Sequence, residues 1–348
     1  MWIMKTVNLL NVVLLVVFVS SCTSYYYVCT DVSDNLDVER RIYAYSSDGT
    51  SADFPFETAG KWTVSQVEKP FEVDFYDVQE KMTHVAERAG RIEDVSLTVA
   101  GGSNPLLRPS ESLGRRFRWF YTYYDYVAVF EGLDEMLPLP LEGYLTDQQQ
   151  EVFFRGGTPP EGWNGVEMYY LLDSVNQSFS KWYSDAVYFV MCDIFGPYCT
   201  AQQKTALDTL KGRFMDGVGN MVMFAMKPEE FEDRLAAVLP DSGFGSIYEQ
   251  NREAIDQAYE KESEVIDCFD TAFIYSVNMP GKCMAGNAVD LVGGYPAWKI
   301  DSYRLMCGDL KLIVTSRKAN LWAFLITFAA IAAFLQAFAK VFTRRPRS

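Results

Sequence analysis

The chain reads as an α+β protein: an antiparallel sheet of N- and C-terminal strands, a helical block inserted between them, and one transmembrane helix at the C-terminus. Three observations predict this. Apolar residues alternate with polar ones in the first and last parts of the chain, step by three and four in the middle, and run unbroken near the end.

The early strands come first. "RRIYAYSSDGT" is a strand pattern closed by an Asp-Gly turn signal, "FEVDFY" alternates Phe71, Val73 and Phe75 against acids, and "VSLTV" repeats the pattern at Val95, Leu97 and Val99. "KMTHVAE", which holds the only histidine, His84, reads as a further strand or its edge. A turn-rich loop, "GGSNPLLRPSESLG", leads into "RRFRWFYTYYDYVAVFEG". Read as one strand, this stretch puts Trp119, Tyr121, Tyr123 and Asp125 on one face and Phe120, Tyr124, Tyr126 and Phe130 on the other. Both faces are largely apolar, which predicts a central strand covered on both sides. Two uses remain open. The rings are core, with Asp125 paired to an arginine on an adjacent strand. Alternatively, the face of Trp119, Tyr121, Tyr123 and Asp125 lines a site for an amphiphile or a glycan.

The middle, about 146–268, is helical. Asn164 with Glu167 offers a capping box, and Met168, Leu172, Val175, Phe179, Trp182, Ala186 and Phe189 form an apolar stripe. Gly196–Pro197 ends that helix, Thr200 with Gln203 opens the next, Pro228 sits at a first turn with acids behind it, and Ser246 with Glu249 opens a helix running to about Cys268. Strand patterns return in "FIYSVNMPGK", "YPAWKID" and "GDLKLIVTSR", with about four residues between the last strand and the apolar helix.

Both termini carry membrane signals. In "MWIMKTVNLLNVVLLVVFVSSC", Lys5 precedes an apolar run, a secretory signal pattern. The run ends in "VSSC", which resembles a bacterial lipobox; the resemblance implies cleavage of residues 1–21 and lipidation of Cys22. From Leu321 to Ala339 there is no charge, and nineteen residues at 1.5 Å give roughly 28 Å, enough to cross a bilayer core. Trp322 marks one interface, and Lys340 with "RRPR" the cytoplasmic side. The expected organisation is therefore signal peptide 1–21, extracytoplasmic body 22–319, transmembrane helix 320–342 and cytoplasmic tail 343–348, anchored in the bacterial inner membrane. Ala329, Ala333 and Ala337 recur every four residues and would permit self-association of the helix.

The net charge is −15; the terminal segments hold five basic residues and no acid, so the body carries −20. Such a body repels nucleic acid. With Cys22 lipidated, six cysteines remain, enough for three disulfides in any of fifteen connectivities; only Cys192 and Cys199, flanking a helix corner, are paired by local order. No C-x-x-C, nucleophile elbow or phosphate-binding glycine motif occurs, and one histidine leaves no usual zinc spacing. No cofactor is expected. Abundant carboxylates leave an acid-pair hydrolase as an alternative.

The late segment "VNMPGKCMAGNA" followed by "AWK", a closing strand and a membrane helix is similar to envelope lipoproteins of the LppM type, through Pro280-Gly281, Asn287 and Trp298 over about seventy residues. The resemblance implies an envelope domain with a cavity suited to lipid or another amphiphile. The long helical block departs from it. The expectation from sequence is a non-enzymatic binding or assembly module at the outer face of the inner membrane, with a lipid- or glycan-binding protein as the first alternative.

Overall fold

The computed structural model describes residues 24–46, 62–73, 81–95, 109–136, 139–216, 226–267, 271–288 and 290–343, with Phe54, Val218, Met223 and Phe269. Cys22, Cys268, the Asp48–Gly49 turn signal and the strand signals at 74–75 and 97–99 lie outside these residues.

The fold is α+β, as the sequence predicts, but the strands form two sheets rather than one. The strands are β1 (Ser24–Val32), β2 (Val38–Ala44), β3 (Thr63–Glu72), β4 (Lys81–Gly90), β5 (Ser110–Phe117), β6 (Tyr121–Phe130), β7 (Thr271–Asn278), β8 (Lys282–Gly286), β9 (Asp290–Val292), β10 (Tyr295–Asp301) and β11 (Leu310–Ala319). The larger sheet has the order β3-β4-β2-β1-β7-β10-β9 and the smaller β5-β6-β11-β8. Early and late strands meet in both. β1 pairs β7 in parallel, while the other strand pairs among the described residues are antiparallel. A parallel pair needs a long crossover, and the inserted helical block supplies it.

The sheets face each other across one core. Val28, Ile42, Phe273, Tyr275, Val277 and Trp298 come from the larger sheet, and Tyr124, Tyr126, Phe130, Leu312 and Val314 from the smaller. One ion pair crosses this core. Arg40 on β2 donates through Nη2 (2.6 Å) and Nη1 (2.8 Å) to Glu111 on β5, and also to the Val95 carbonyl (3.0 Å) and Thr30 (3.2 Å). Tyr126 donates to the same carboxylate (2.6 Å). Each of the three nitrogens of Arg40 thus has a partner, which makes a fully buried guanidinium tolerable.

The residues that carry the lipoprotein resemblance make a second joint. The Asn287 side chain accepts from the Ile313 N–H (2.8 Å) and from Trp298 Nε1 (3.1 Å), and donates to the Lys311 carbonyl (2.6 Å), joining β10 to β11. Gly281 has φ +84°, and a Cβ there would lie 2.3 Å from the Arg317 carbonyl oxygen, so the turn requires glycine.

The helices are α1 (Asp147–Gln149), α2 (Gly165–Phe195), α3 (Ala201–Met215), α4 (Pro228–Val238), α5 (Ile247–Asp267), α6 (Ser302–Leu305) and α7 (Leu321–Thr343). The capping boxes at Asn164/Glu167 and Thr200/Gln203 form as read from sequence. The start of α5 differs. Its first N–H groups, Ile247 (2.6 Å) and Tyr248 (2.9 Å), donate to Glu232 on α4. Burial pushes the Glu232 carboxyl up, against the pull of those two bonds. The apolar stripe of α2 is core only from Val175 onward, and Leu172 is exposed. The segment around Leu139–Tyr144 reaches only the later turns, where Trp182 Nε1 donates to Leu139 O (3.1 Å). There Asp185, nearly buried, accepts from Lys211 (2.7 Å), Tyr144 (2.7 Å) and Lys181 (3.0 Å), tying three segments of the block together.

The cysteine staple is not formed: Cys192 and Cys199 are free thiols. Cys192 instead bonds to Tyr188 within its own helix, and burial, the largest influence, pushes its thiol up to about 12.

The sandwich has two distinct ends. β6 and β10 run at one end into the helical block, where the Leu133 N–H donates to the Leu305 carbonyl (2.7 Å). The β1–β2 turn lies at the other end, beside the end of β11, where Lys318 pairs with Asp34. α7 starts there after one residue, Asn320, rather than the four expected. Ser24 pairs with Thr271 and Asp31 with Asn278, so the first residue of β1 is at the helical-block end.

Candidate functional site: the hairpin and helix junction

The aromatic stretch is two strands and a turn, not one central strand. β5 ends at Phe117, Arg118–Phe120 make the turn, and β6 starts at Tyr121. The covering also differs from expectation. Tyr124, Tyr126, Ala128 and Phe130 are buried, whereas Tyr121, Tyr123, Asp125, Val127 and Val129 are only half-buried on the outer face. The smaller sheet is covered on one side, as an antiparallel sheet commonly is.

Tyr121, Tyr123 and Asp125 do share that outer face, and each is engaged within the sheet. Asp125 accepts from Arg116 Nε (2.7 Å) and Nη2 (3.0 Å) on β5 and from Thr315 (2.9 Å) on β11. The Arg116 bonds, the largest cause, hold its carboxyl below the usual range, against partial burial. Arg116 lies over the Tyr123 ring (5.8 Å) and Arg317 over Tyr121 (4.7 Å). The pairing of Asp125 with an adjacent-strand arginine is therefore the arrangement found.

Trp119 leaves this group. It sits at the hairpin tip, 48 % exposed, with Phe117 at 58 %. Its indole meets Trp322 edge-on (5.3 Å), and Nε1 donates to Thr327 (2.9 Å), two turns into α7. Phe117 stacks parallel to Trp322 (6.3 Å, 3°), and Phe120 packs on Phe324 (4.7 Å). Asn320 fastens the turn. Its side chain donates to the Arg118 (2.8 Å) and Trp119 (3.2 Å) carbonyls and accepts from Thr122 (2.9 Å), and its backbone N–H donates to Phe120 O (2.9 Å). Strand β11, helix α7 and the hairpin tip thus form one rigid corner.

α7 is the one described helix long and apolar enough to cross a membrane: Leu321–Lys340 has mean hydropathy 2.1, and 6 % of its most apolar window is buried. Ala329, Ala333 and Ala337 lie along its exposed surface.

A cleft of about 500 Å³ opens between the β1–β2 turn, the inner face of β5–β6–β11 and the first turn of α7. Its charged lining is Arg115, Lys318 and Asp34, and its rings include Phe117, Tyr124 and Trp322. Arg115 Nη1 donates to Asp34 O (3.0 Å), Lys318 pairs with the Asp34 carboxylate, and Tyr124 donates weakly to it (3.4 Å). Asp34, Arg115 and Lys318 were not singled out from sequence. The alternation of arginine with rings in "RRFRWF" was the available signal, since such side chains favour a membrane interface.

Among the described residues no group of three His, Cys, Asp or Glu side chains is placed to hold a metal. His84 is buried in β4, between β3 and β2 in the larger sheet, with Nδ1 against Thr83 (3.0 Å).

No family model matches the chain, and no match was found among curated proteins or solved structures. The similarity at Pro280–Trp298 therefore rests on its residues alone.

Proposed function

We propose that the chain is a membrane-anchored lipoprotein of the bacterial envelope, acting as a non-enzymatic binding or assembly module at the outer face of the inner membrane. The observation that carries this reading is the welded corner. An exposed apolar helix of spanning length starts one residue after a strand, and a ring-rich hairpin tip descends beside it to the level of Thr327. Rings at that level suit the bilayer interface, where an apolar body and a polar edge are both accommodated. The basic residues after α7 favour the cytoplasmic side, which supports a tail in the cytoplasm and the acidic body outside.

The lipid-binding alternative gains support from the cleft, whose rings adjoin the apolar helix. The glycan alternative would use Tyr121 and Tyr123, whose faces are already met by arginines.

Expression of the full chain followed by alkaline carbonate extraction tests the anchor: the protein should stay with the membrane pellet and leave it only with detergent. Release by carbonate would sink the reading. Protease added to spheroplasts should digest the body and spare the tail. Globomycin-type inhibition, or Cys22→Ala, should block processing and lipid labelling; unchanged processing removes the lipoprotein part of the proposal.

A further inference from the structure

The cleft at the corner has a composition that its position makes meaningful. Arg115, Lys318 and Asp34 are its charged residues, so it carries one net positive charge in a body of −20. Phe117 and Trp322, stacked parallel, line the same cleft, together with Leu321 at the start of the apolar helix α7. Cations beside rings and an apolar helix complement a phospholipid, whose anionic group, glycerol and hydrocarbon follow one another. Its volume, about 500 Å³, is within the usual range of small-ligand sites.

We propose that the cleft binds the phosphodiester headgroup of an outer-leaflet phospholipid. Arg115 and Lys318 face the phosphate, and Phe117 with Trp322 frames the glycerol and the first acyl carbons. Lys318 pairs with the Asp34 carboxylate, which serves as its internal stand-in for the phosphate, while Arg115 donates to the Asp34 main-chain carbonyl (3.0 Å). An arriving phosphodiester competes with a carboxylate that is half exposed, so the exchange requires no buried charge to be stripped. The guanidinium can grip two phosphate oxygens, and the ammonium adds a point charge. This inference rests on α7 lying in the bilayer, which sets the cleft at headgroup level.

The test uses the full chain purified in detergent, with native mass spectrometry of bound lipid. The probes are phosphatidylglycerol, phosphatidylethanolamine, uncharged diacylglycerol and inorganic phosphate. The wild type should retain one molecule of either phospholipid and little diacylglycerol. R115Q/K318Q should lose at least tenfold of that retention, while R115K/K318R, which preserves the charges, should keep most of it. Asp34→Asn, which removes the carboxylate that competes for Lys318, should raise it. Equal retention by R115Q/K318Q and wild type, or equal retention of diacylglycerol, overturns the proposal. So does displacement of the lipid by millimolar inorganic phosphate, which would make the cleft a soluble-anion site. The circular dichroism spectrum of R115Q/K318Q should match wild type; if it does not, the comparison of R115K/K318R with wild type across the four probes decides. Carbonate extraction of the same proteins separates the two readings: a chain that stays in the membrane yet ignores the charge changes refutes the cleft alone.

Discussion

The β5–β6 hairpin takes part in two arginine–carboxylate pairs of the same chemistry in opposite surroundings. Glu111 meets Arg40 inside the sandwich, with their side chains 4 % and 0 % exposed. Asp125 meets Arg116 on the outer face, open to water. Geometry does not distinguish them, since both are forked and short. Solvent does. The outer pair is screened and exchanges easily with water, whereas the inner pair is locked by the cost of leaving either charge alone. A count of salt bridges would weigh them equally; their burial makes one a fastener of the two sheets and the other a surface ornament of one.

The sharpest way to break this comparison is Glu111→Ala. Arg40 would be left buried without its anion, and denaturant unfolding of the full chain in detergent should show a loss of about 3–5 kcal/mol. Replacing both charges, R40M/E111L, should recover part of that loss. The recovery is incomplete because the Tyr126 hydroxyl and the Val95 carbonyl lose their partner. If the double change is as damaging as the single one, the cost lies in packing and not in the uncompensated charge.

Asp185 is the intermediate case, with a nearly buried side chain between two lysines. Burial, the largest single influence, pushes its carboxyl up, but the bonds from Lys211, Tyr144 and Lys181 together bring it below the ordinary value. A carboxyl held low in the fold stabilises above its unfolded pKa of about 3.9, and that contribution disappears as pH falls through the lower folded value. Asp185→Asn should therefore cost about 1–3 kcal/mol at pH 7 and flatten the acid limb of the stability profile. Urea midpoints between pH 7 and pH 3 measure both effects, and parallel profiles for the two proteins would exclude the assignment. Thr327→Val removes the single bond from Trp119 and should cost about 1 kcal/mol or less. Its readout is local: trypsin should cut after Arg118 a few-fold faster. At the small end, Asp125→Asn should leave the urea midpoint unchanged within error. A loss comparable to that of Glu111→Ala would erase the distinction between the two pairs.

Much of this architecture is legible in the sequence because its signals are local. The limits of the helical block, the capping residues and the apolar helix are set by neighbours within a few positions. The hairpin was hidden for a physical reason. Its turn, Arg118–Phe120, contains no Gly, Pro, Asn or Asp, the residues that normally mark one. The turn-stabilising amide comes from Asn320, about two hundred residues further on. A strand pattern with an unmarked turn reads as one long strand, and that reading put Trp119 on the wrong surface. The N-terminus of α5 follows the same logic, since Glu232 serves it from another helix. The cleft was hidden too, because Asp34, Arg115 and Lys318 come from three separate strands or turns.

If Cys22 carries a lipid, the direction of β1 bears on how the body meets the membrane. Its nine residues run from the helical-block end to the corner where α7 begins, a length of about 26 Å at 3.3 Å per residue. A lipid on Cys22 would be tethered two residues before Ser24, at the end of β1 opposite α7. Two such moorings reach one bilayer only if β1 lies nearly flat along it. The sandwich would then recline on the membrane with one flank toward the lipid, instead of standing on its helix like a flower on a stem. Spin labels at Ser24 and Asn35 should report similar depths above the bilayer if it reclines, and depths differing by most of the strand's length if it stands.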